Sequence, residues 1–92
     1  MNVLMSPQFD DTRTIHYRFS DETITVTLGS VVDVFDFNGL PVGEVGGIET
    51  TLPINPIVHA ERKVDGQMYV ELINFITEDA PESDKFPSWT VV

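Results

Sequence analysis

The sequence predicts a small, mainly antiparallel all-β domain, in which a meander is followed by a C-terminal hairpin to form a small sandwich or an open barrel. Apolar and polar residues alternate through residues 14–28, and a period of two is typical of half-buried strands. A second β-rich segment surrounds Asp65-Gly66, a dipeptide common in tight hairpin turns. No segment has the length and periodicity of an ordinary helix, so we expect at most one short helical turn.

The first part of the chain predicts an N-terminal arm and then the meander. Residues 1–11 form either an ordered arm or a short strand over residues 3–5. The three strands of the meander are predicted at residues 14–19, 23–28 and 31–37, with turns at Ser20-Asp21-Glu22 and Gly29-Ser30. The inward positions of the second strand are Ile24, Val26 and Leu28. In the third strand, one face carries Phe35 and Phe37, and the other face carries Val32 and Val34.

A connection rich in glycine and proline, residues 38–56, separates the meander from the hairpin. It contains four of the six glycines, and its two last prolines, Pro53 and Pro56, favour extended backbone before them. A connection of this length in a small domain is usually functional or mobile, or it holds a short strand. Thr50-Thr51-Leu52 is the candidate for such a strand.

The hairpin over residues 57–75 gives the first predicted contact site. If Asp65 and Gly66 are a two-residue turn, Arg62 lies opposite Tyr69 and diagonally from Glu71, with which it forms an ion pair. The second strand is apolar on both faces, which is typical of a strand covered by a neighbouring segment or subunit. We therefore predict contact with a partner protein at Met68, Val70 and Leu72.

The C-terminal arm, residues 76–92, contains the second predicted contact site. Its first half is acidic, and Pro81 suits the first turn of a short helix around residues 81–85. Phe86 and Trp89 follow closely, so we expect these aromatic side chains to pack on an open sheet face or on a neighbouring subunit. Because tryptophan is enriched at interface hot spots, we predict Phe86 and Trp89 as partner contacts.

Charge and composition limit the classes of partner that the chain can bind. The chain has 92 residues, no cysteine, and a formal charge of −10, which repels nucleic-acid phosphates and favours a basic protein partner or solubility alone. It is predicted as one domain, with no direct binding of nucleic acid. We find neither a targeting signal nor an apolar run that could span a membrane, so a cytoplasmic protein is expected.

No catalytic, cofactor-binding or metal-binding constellation is present in the sequence. His16 and His59 lack companions at the spacing of metal ligands or of an acid/base pair. The glycine-rich connection lacks the Lys-Ser/Thr of a phosphate loop. We therefore expect a protein that is not an enzyme, and a small-ligand or cation module at the glycine-rich connection is the last of three hypotheses.

Three segments resemble small proteins encoded by tailed bacteriophages and prophages of Gram-positive bacteria. They are residues 33–41 (DVFDFNGLP), residues 48–56 (IETTLPINP), and the stretch from residues 69–75 (YVELINF) through residues 85–89 (KFPSW). The resemblance spans roughly residues 12–90 and implies a virion-associated or assembly role, with no functional residue carried over.

Two hypotheses for function rank above the small-ligand or cation module. The first is a non-enzymatic phage or prophage protein that acts through protein contacts in the tail region, as a homodimer or with another protein, in the host cytoplasm or within the virion. The alternative is an acidic inhibitor that mimics nucleic-acid charge against a host protein. The first draws on the aromatic arm and the resemblance, and the second draws on the charge of −10.

Overall fold

The computed structural model describes residues 1–92 as two β-sheets and one short helix. The prediction of an all-β fold is confirmed, and the sheets do not close into a barrel. The elements are β1 (Asn2–Phe9), β2 (Ile15–Ser20), β3 (Thr23–Leu28), β4 (Val31–Asp36), β5 (Gly43–Glu44), β6 (Ile57–Arg62), β7 (Met68–Ile76), α1 (Glu82–Lys85) and β8 (Thr90–Val91).

The smaller sheet is the predicted meander. Its strands pair antiparallel in the order β2-β3-β4, and the inward residues of β3 are buried as expected. Phe35 and Phe37 are also buried, whereas Val32 and Val34 on the other face of β4 are exposed. Alternation therefore predicted the inward face of β3, whereas in β4 it separated the two faces without assigning the inner one.

The larger sheet has the order β5-β6-β7-β1-β8, so the N-terminal strand lies inside the sheet, between β7 and β8. Residues 1–11, predicted as an arm or a short strand, instead supply an eight-residue strand that pairs in parallel with β7. The Asp10 N–H donates to the Ile76 carbonyl, so even-numbered residues of β1 direct their backbone toward β7. Pro7 therefore faces the other edge, where its missing N–H leaves no gap in the ladder.

The hairpin of β6 and β7 differs from the prediction by one residue. Its loop has three residues, Val64-Asp65-Gly66, closed by hydrogen bonds from Lys63 N–H to Gln67 and from Gly66 N–H to Lys63. Within this loop only Gly66 has positive φ, 84°, as in a type I turn followed by a bulge, so the predicted two-residue turn at Asp65-Gly66 is wrong. This shift places Arg62 opposite Met68 and turns both toward the inner face.

Arg62 consequently pairs with Glu22 and not with Glu71 as predicted. Its Nη1 and Nη2 atoms donate to the two carboxylate oxygens of Glu22 at 2.9 and 2.8 Å, in the bidentate arrangement that suits a guanidinium. Arg62 also donates to the carbonyls of Phe37, Leu40 and Gly66. One side chain thus joins the turn between β2 and β3, the long connection and the hairpin loop.

The connection at residues 38–56 packs along the core. Leu52 is buried, but residues 50–52 form no strand, contrary to prediction. The Thr50 hydroxyl donates to the Asp33 carboxylate at 2.7 Å and the Thr51 N–H donates to the same oxygen at 3.1 Å. These bonds fix the connection beside β4, and they lower the pKa of Asp33.

The core lies between the inner faces of the two sheets. It unites β3 and β4 with β6, β7 and β1, and its most enclosed side chains include Ile24, Val26, Met68, Val70 and Leu72. Both sheets contribute a mainly apolar inner face, which leaves functional surface to the outer faces, the strand ends and the C-terminal arm.

Candidate protein-contact site

The inner face of β7 is not available to a partner. Met68, Val70 and Leu72, predicted as partner contacts, are each 0% exposed within the single chain. The apolar character that suggested an interface is explained by β3 and β4 packing over this face from the second sheet. The prediction for these three residues is therefore corrected: they are core residues.

The C-terminal arm ends in an exposed apolar surface, the C-terminal patch, which consists of Phe86, Trp89, Val91 and Val92. Phe86 is 78% and Val91 76% exposed, and the other two are 46% and 44% exposed. The chain has eleven large hydrophobic side chains at its surface, and four of them fall in these last seven residues. Apolar side chains left exposed this close together along the chain are candidates for a contact site.

The patch is held to the larger sheet by few contacts. Strand β8 pairs with β1 only at Val91 opposite Asn2 and Thr90 opposite Val3, and the Val92 N–H donates to the Met1 carbonyl at 2.9 Å. Helix α1 buries no residue and has no side-chain cap at its N-terminus. The predicted short helix at residues 81–85 is thus present as a single turn that leads into the patch.

Trp89 connects the patch to the outer face of the larger sheet. Its ring meets Tyr69 edge to face at a centroid distance of 5.4 Å, and the Lys63 ammonium lies 4.2 Å from the centre of the same tyrosine ring. Edge-to-face aromatic pairs and cations over aromatic faces both stabilise a fixed ring orientation. Trp89 is therefore positioned while about half of it stays exposed, whereas Phe86 projects freely.

A cleft of about 480 Å³ lies where β1 and β7 end side by side; we call it the acidic cleft. It is lined by Phe9, Asp10, Asp11, Ile76, Thr77, Glu78 and Asp79. Because parallel strands end at the same edge, β1 and β7 both deliver acidic residues to this point. The alternation of the sequence gave no sign of this cleft, since the parallel pairing of β1 with β7 was not predicted.

Asp10 supports the wall of the acidic cleft and is not free to bind. Its carboxylate accepts hydrogen bonds from the Thr12 hydroxyl and N–H and from Arg13 Nε, the last at 2.7 Å. The bonds from Thr12 and then from Arg13 hold the pKa of Asp10 well below its ordinary value of 3.8. The side-chain carboxylates of Asp11, Glu78 and Asp79 accept no hydrogen bond within the chain, so the unpaired charge of the cleft resides on them.

The two histidines lie on different sheets. His16 is exposed in β2, and His59 in β6 has its Nε2 atom 3.6 Å from the Glu61 carboxylate. No group of three or more His, Cys, Asp or Glu side chains is arranged to hold a metal ion. No helix of the structure combines the length and apolar character needed to cross a membrane.

Comparison with protein-family models, with curated proteins and with solved structures finds no match for this chain.

Proposed function

We propose that this chain is a non-enzymatic phage or prophage protein that acts through protein–protein contacts, as a minor structural or assembly component of the tail region. The C-terminal patch is the observation that carries the proposal. Phe86 and Trp89, predicted as partner contacts, both remain accessible there, next to the exposed Val91 and Val92. The resemblance of residues 12–90 to phage and prophage proteins supports the assembly role.

The energetics of the patch favour a partner. Fully burying one large apolar side chain contributes about 1.5–3 kcal/mol. Phe86 at 78% exposure retains most of that free energy for a contact, and Trp89 is already oriented by Tyr69. A preoriented aromatic side chain loses little conformational entropy when a partner covers it, which is the usual character of an interface hot spot.

The assembly role places the protein in the host cytoplasm during phage production, or within the virion after assembly. The partner that covers the patch is either a second copy of this chain or another virion protein. A contact made by aromatic and β-branched side chains beside a short edge strand suits a stable structural interface better than a transient encounter.

The experiment is a measurement of solution mass by light scattering at micromolar to millimolar concentration. We expect the intact chain to form a defined oligomer, alone or with a virion protein. A chain that ends at Asp84 and the double variant Phe86→Ser/Trp89→Ser should both lose that association. Val64→Ser is the matched control, since Val64 is exposed at the tip of the hairpin loop and lies outside the patch.

A strict monomer that also binds no virion protein would contradict the proposal. Unchanged association in the double variant would equally contradict the role of the patch. Circular dichroism of each variant confirms that its fold is retained, which separates loss of contact from loss of structure.

The alternative, an acidic inhibitor that occupies the nucleic-acid site of a host protein, has one favourable observation in the acidic cleft. Several other carboxylates are engaged within the chain, however: Glu22 binds Arg62, Asp33 binds Thr50 and Thr51, and Asp36 binds Asn38. The acidic cleft groups its unpaired carboxylates at one point, whereas imitation of a nucleic-acid backbone needs an extended row of charges, so this alternative has less support. Competition between the protein and duplex DNA for one host protein is its test.

A further inference from the structure

The outer face of the smaller sheet is a second uncovered surface. We define it by two rows of residues that the strand register places side by side, His16-Thr27-Val32 and Arg18-Thr25-Val34. Val32 and Val34 are 54% and 55% exposed, and His16 and Arg18 are exposed beside them. This outer face is therefore partly apolar and open across all three strands; its next row, Ser20-Thr23-Asp36, adds one carboxylate, which accepts a hydrogen bond from Asn38.

Arg18 is the only basic side chain of the chain that has no partner. Arg13 and Arg62 form ion pairs, the Lys63 ammonium lies over an aromatic ring, and the Lys85 ammonium donates to a backbone carbonyl. Arg18 forms no hydrogen bond, ion pair or aromatic contact. In a chain of formal charge −10, a guanidinium without an acceptor marks the place where an external acceptor is most strongly favoured.

Other donors converge on Arg18. A shallow depression of about 260 Å³ is lined by His16, Tyr17, Arg18, Thr25 and Thr27. The hydroxyls of Thr25 and Thr27 form no hydrogen bond within the chain, and His16 is likewise without a partner. A guanidinium, an imidazole and two hydroxyls around one depression are donors suited to carboxylates, and arginine binds a carboxylate with two parallel bonds.

The acidic cleft offers the complementary groups on the same chain. The carboxylates of Asp11, Glu78 and Asp79 lack donors, and the ring of Phe9 is 66% exposed beside them. Acceptors and an aromatic ring in the cleft thus correspond to donors and exposed valines on the outer face. Both the charge and the apolar character of the two surfaces are complementary.

We propose that the outer face of one copy binds the acidic cleft of a second copy, head to tail. The two surfaces involve different residues, so the contact is heterologous: each added copy again presents one free face and one free cleft. Repetition of such a contact gives a closed ring or an open filament, according to the rotation between neighbours. This contact is independent of the C-terminal patch and adds a second interface to the proposed function.

Sedimentation velocity of the full-length chain tests the proposal. Salt of about 0.15 M shortens the screening length to about 8 Å, so the repulsion between chains of charge −10 does not hide a short-range contact. We expect a mass that rises with concentration, and about 10- to 100-fold weaker association for Arg18→Gln. Val64→Glu is the matched control, because it changes the net charge by the same amount at an exposed loop tip and should associate as the unmodified chain does.

Reversing the charges of the two surfaces tests whether the partner is a second copy of this chain. In the Phe86→Ser/Trp89→Ser background, which removes the C-terminal patch, Arg18→Glu alone and Glu78→Lys/Asp79→Lys alone should both be monomeric, since each brings like charges together. Their equimolar mixture should associate again, because the reversed face of the first then meets the reversed cleft of the second.

The proposal is overturned if the unmodified chain stays monomeric, if Arg18→Gln associates as well as the control, or if the mixture does not associate. An association that is lost in Phe86→Ser/Trp89→Ser but retained in Arg18→Gln would support the C-terminal patch and overturn the head-to-tail contact. Loss in Arg18→Gln alone, with recovery in the mixture, would support the head-to-tail contact and not the patch.

Discussion

Replacement of Leu72 by alanine tests whether the inner face of β7 belongs to the core of a single chain. Leu72 is 0% exposed and lies opposite Ile57 in β6 and Met5 in β1. The substitution removes a branched group of carbon atoms, each worth about 0.8 kcal/mol of transfer free energy, and it leaves a cavity. Together these effects lower the free energy of unfolding by about 3–5 kcal/mol.

The assay is urea or thermal unfolding followed by circular dichroism. In a chain of 92 residues, each 1 kcal/mol lowers Tm by about 4–8 °C, so we expect Tm to fall by at least about 12 °C. Val34→Ala is the control: Val34 lies on a strand but is half exposed, and its loss should be within about 0.5 kcal/mol. A loss below about 1 kcal/mol for Leu72→Ala, accompanied by loss of self-association, would refute the assignment of Leu72 to the core.

Three further perturbations probe polar groups and backbone. The ion pair of Glu22 lowers the pKa of its carboxyl from the ordinary value of 4.5, so its stabilisation is complete above pH 4.5 and is lost as the pH falls through the lowered pKa. The difference in urea midpoint between the unmodified chain and Glu22→Gln should therefore shrink on acidification, and a constant difference would contradict this. Tyr17→Phe removes a hydrogen bond to a β7 carbonyl and should cost about 0.5–1.5 kcal/mol, measured by urea unfolding; a neutral result would show that the bond contributes nothing net. Gly66→Ala, at φ of 84°, should cost about 1–2 kcal/mol, whereas Gly46→Ala, with open space and no positive φ, should be neutral or slightly stabilising in the same assay.

The meander could be predicted because its information is local. Turns at Asp21 and at Gly29 join strands whose alternation assigns each residue to a face, and both residues adopt the positive φ that such turns require. Buried Ile24 and Val26 alternate with threonines of intermediate exposure, so pattern and packing agree.

The larger sheet could not be predicted to the same degree, because its pairing is non-local. The position of β1 depends on β7, and nothing within residues 1–11 encodes that partner. The hairpin of β6 and β7 was located correctly, but Asp65-Gly66 is compatible with loops of two or three residues. The observed register turns Arg62 toward the inner face, where it binds Glu22.

The candidate contact residues also differ in how far the sequence could predict them. Phe86 and Trp89 could be singled out because two aromatic residues in a polar tail are conspicuous in any sequence. Arg18 could not, since its significance depends on which groups engage the other four basic side chains: carboxylates for the two arginines, an aromatic ring for Lys63 and a backbone carbonyl for Lys85. Those contacts become visible only in the structure.

The parallel pairing of β1 with β7 has a consequence for how the chain folds. Asn2 pairs with Tyr69, so β1 has no partner strand in this direction until β7 has left the ribosome. The meander has short turns, so the entropic cost of closing its loops is low and it can form early. Pairing β1 with β7 instead closes a long loop, which contains most of the strands of the core. We therefore expect slow, late completion of the larger sheet, and a nascent chain in which β1 lacks its main partner until β7 is synthesised.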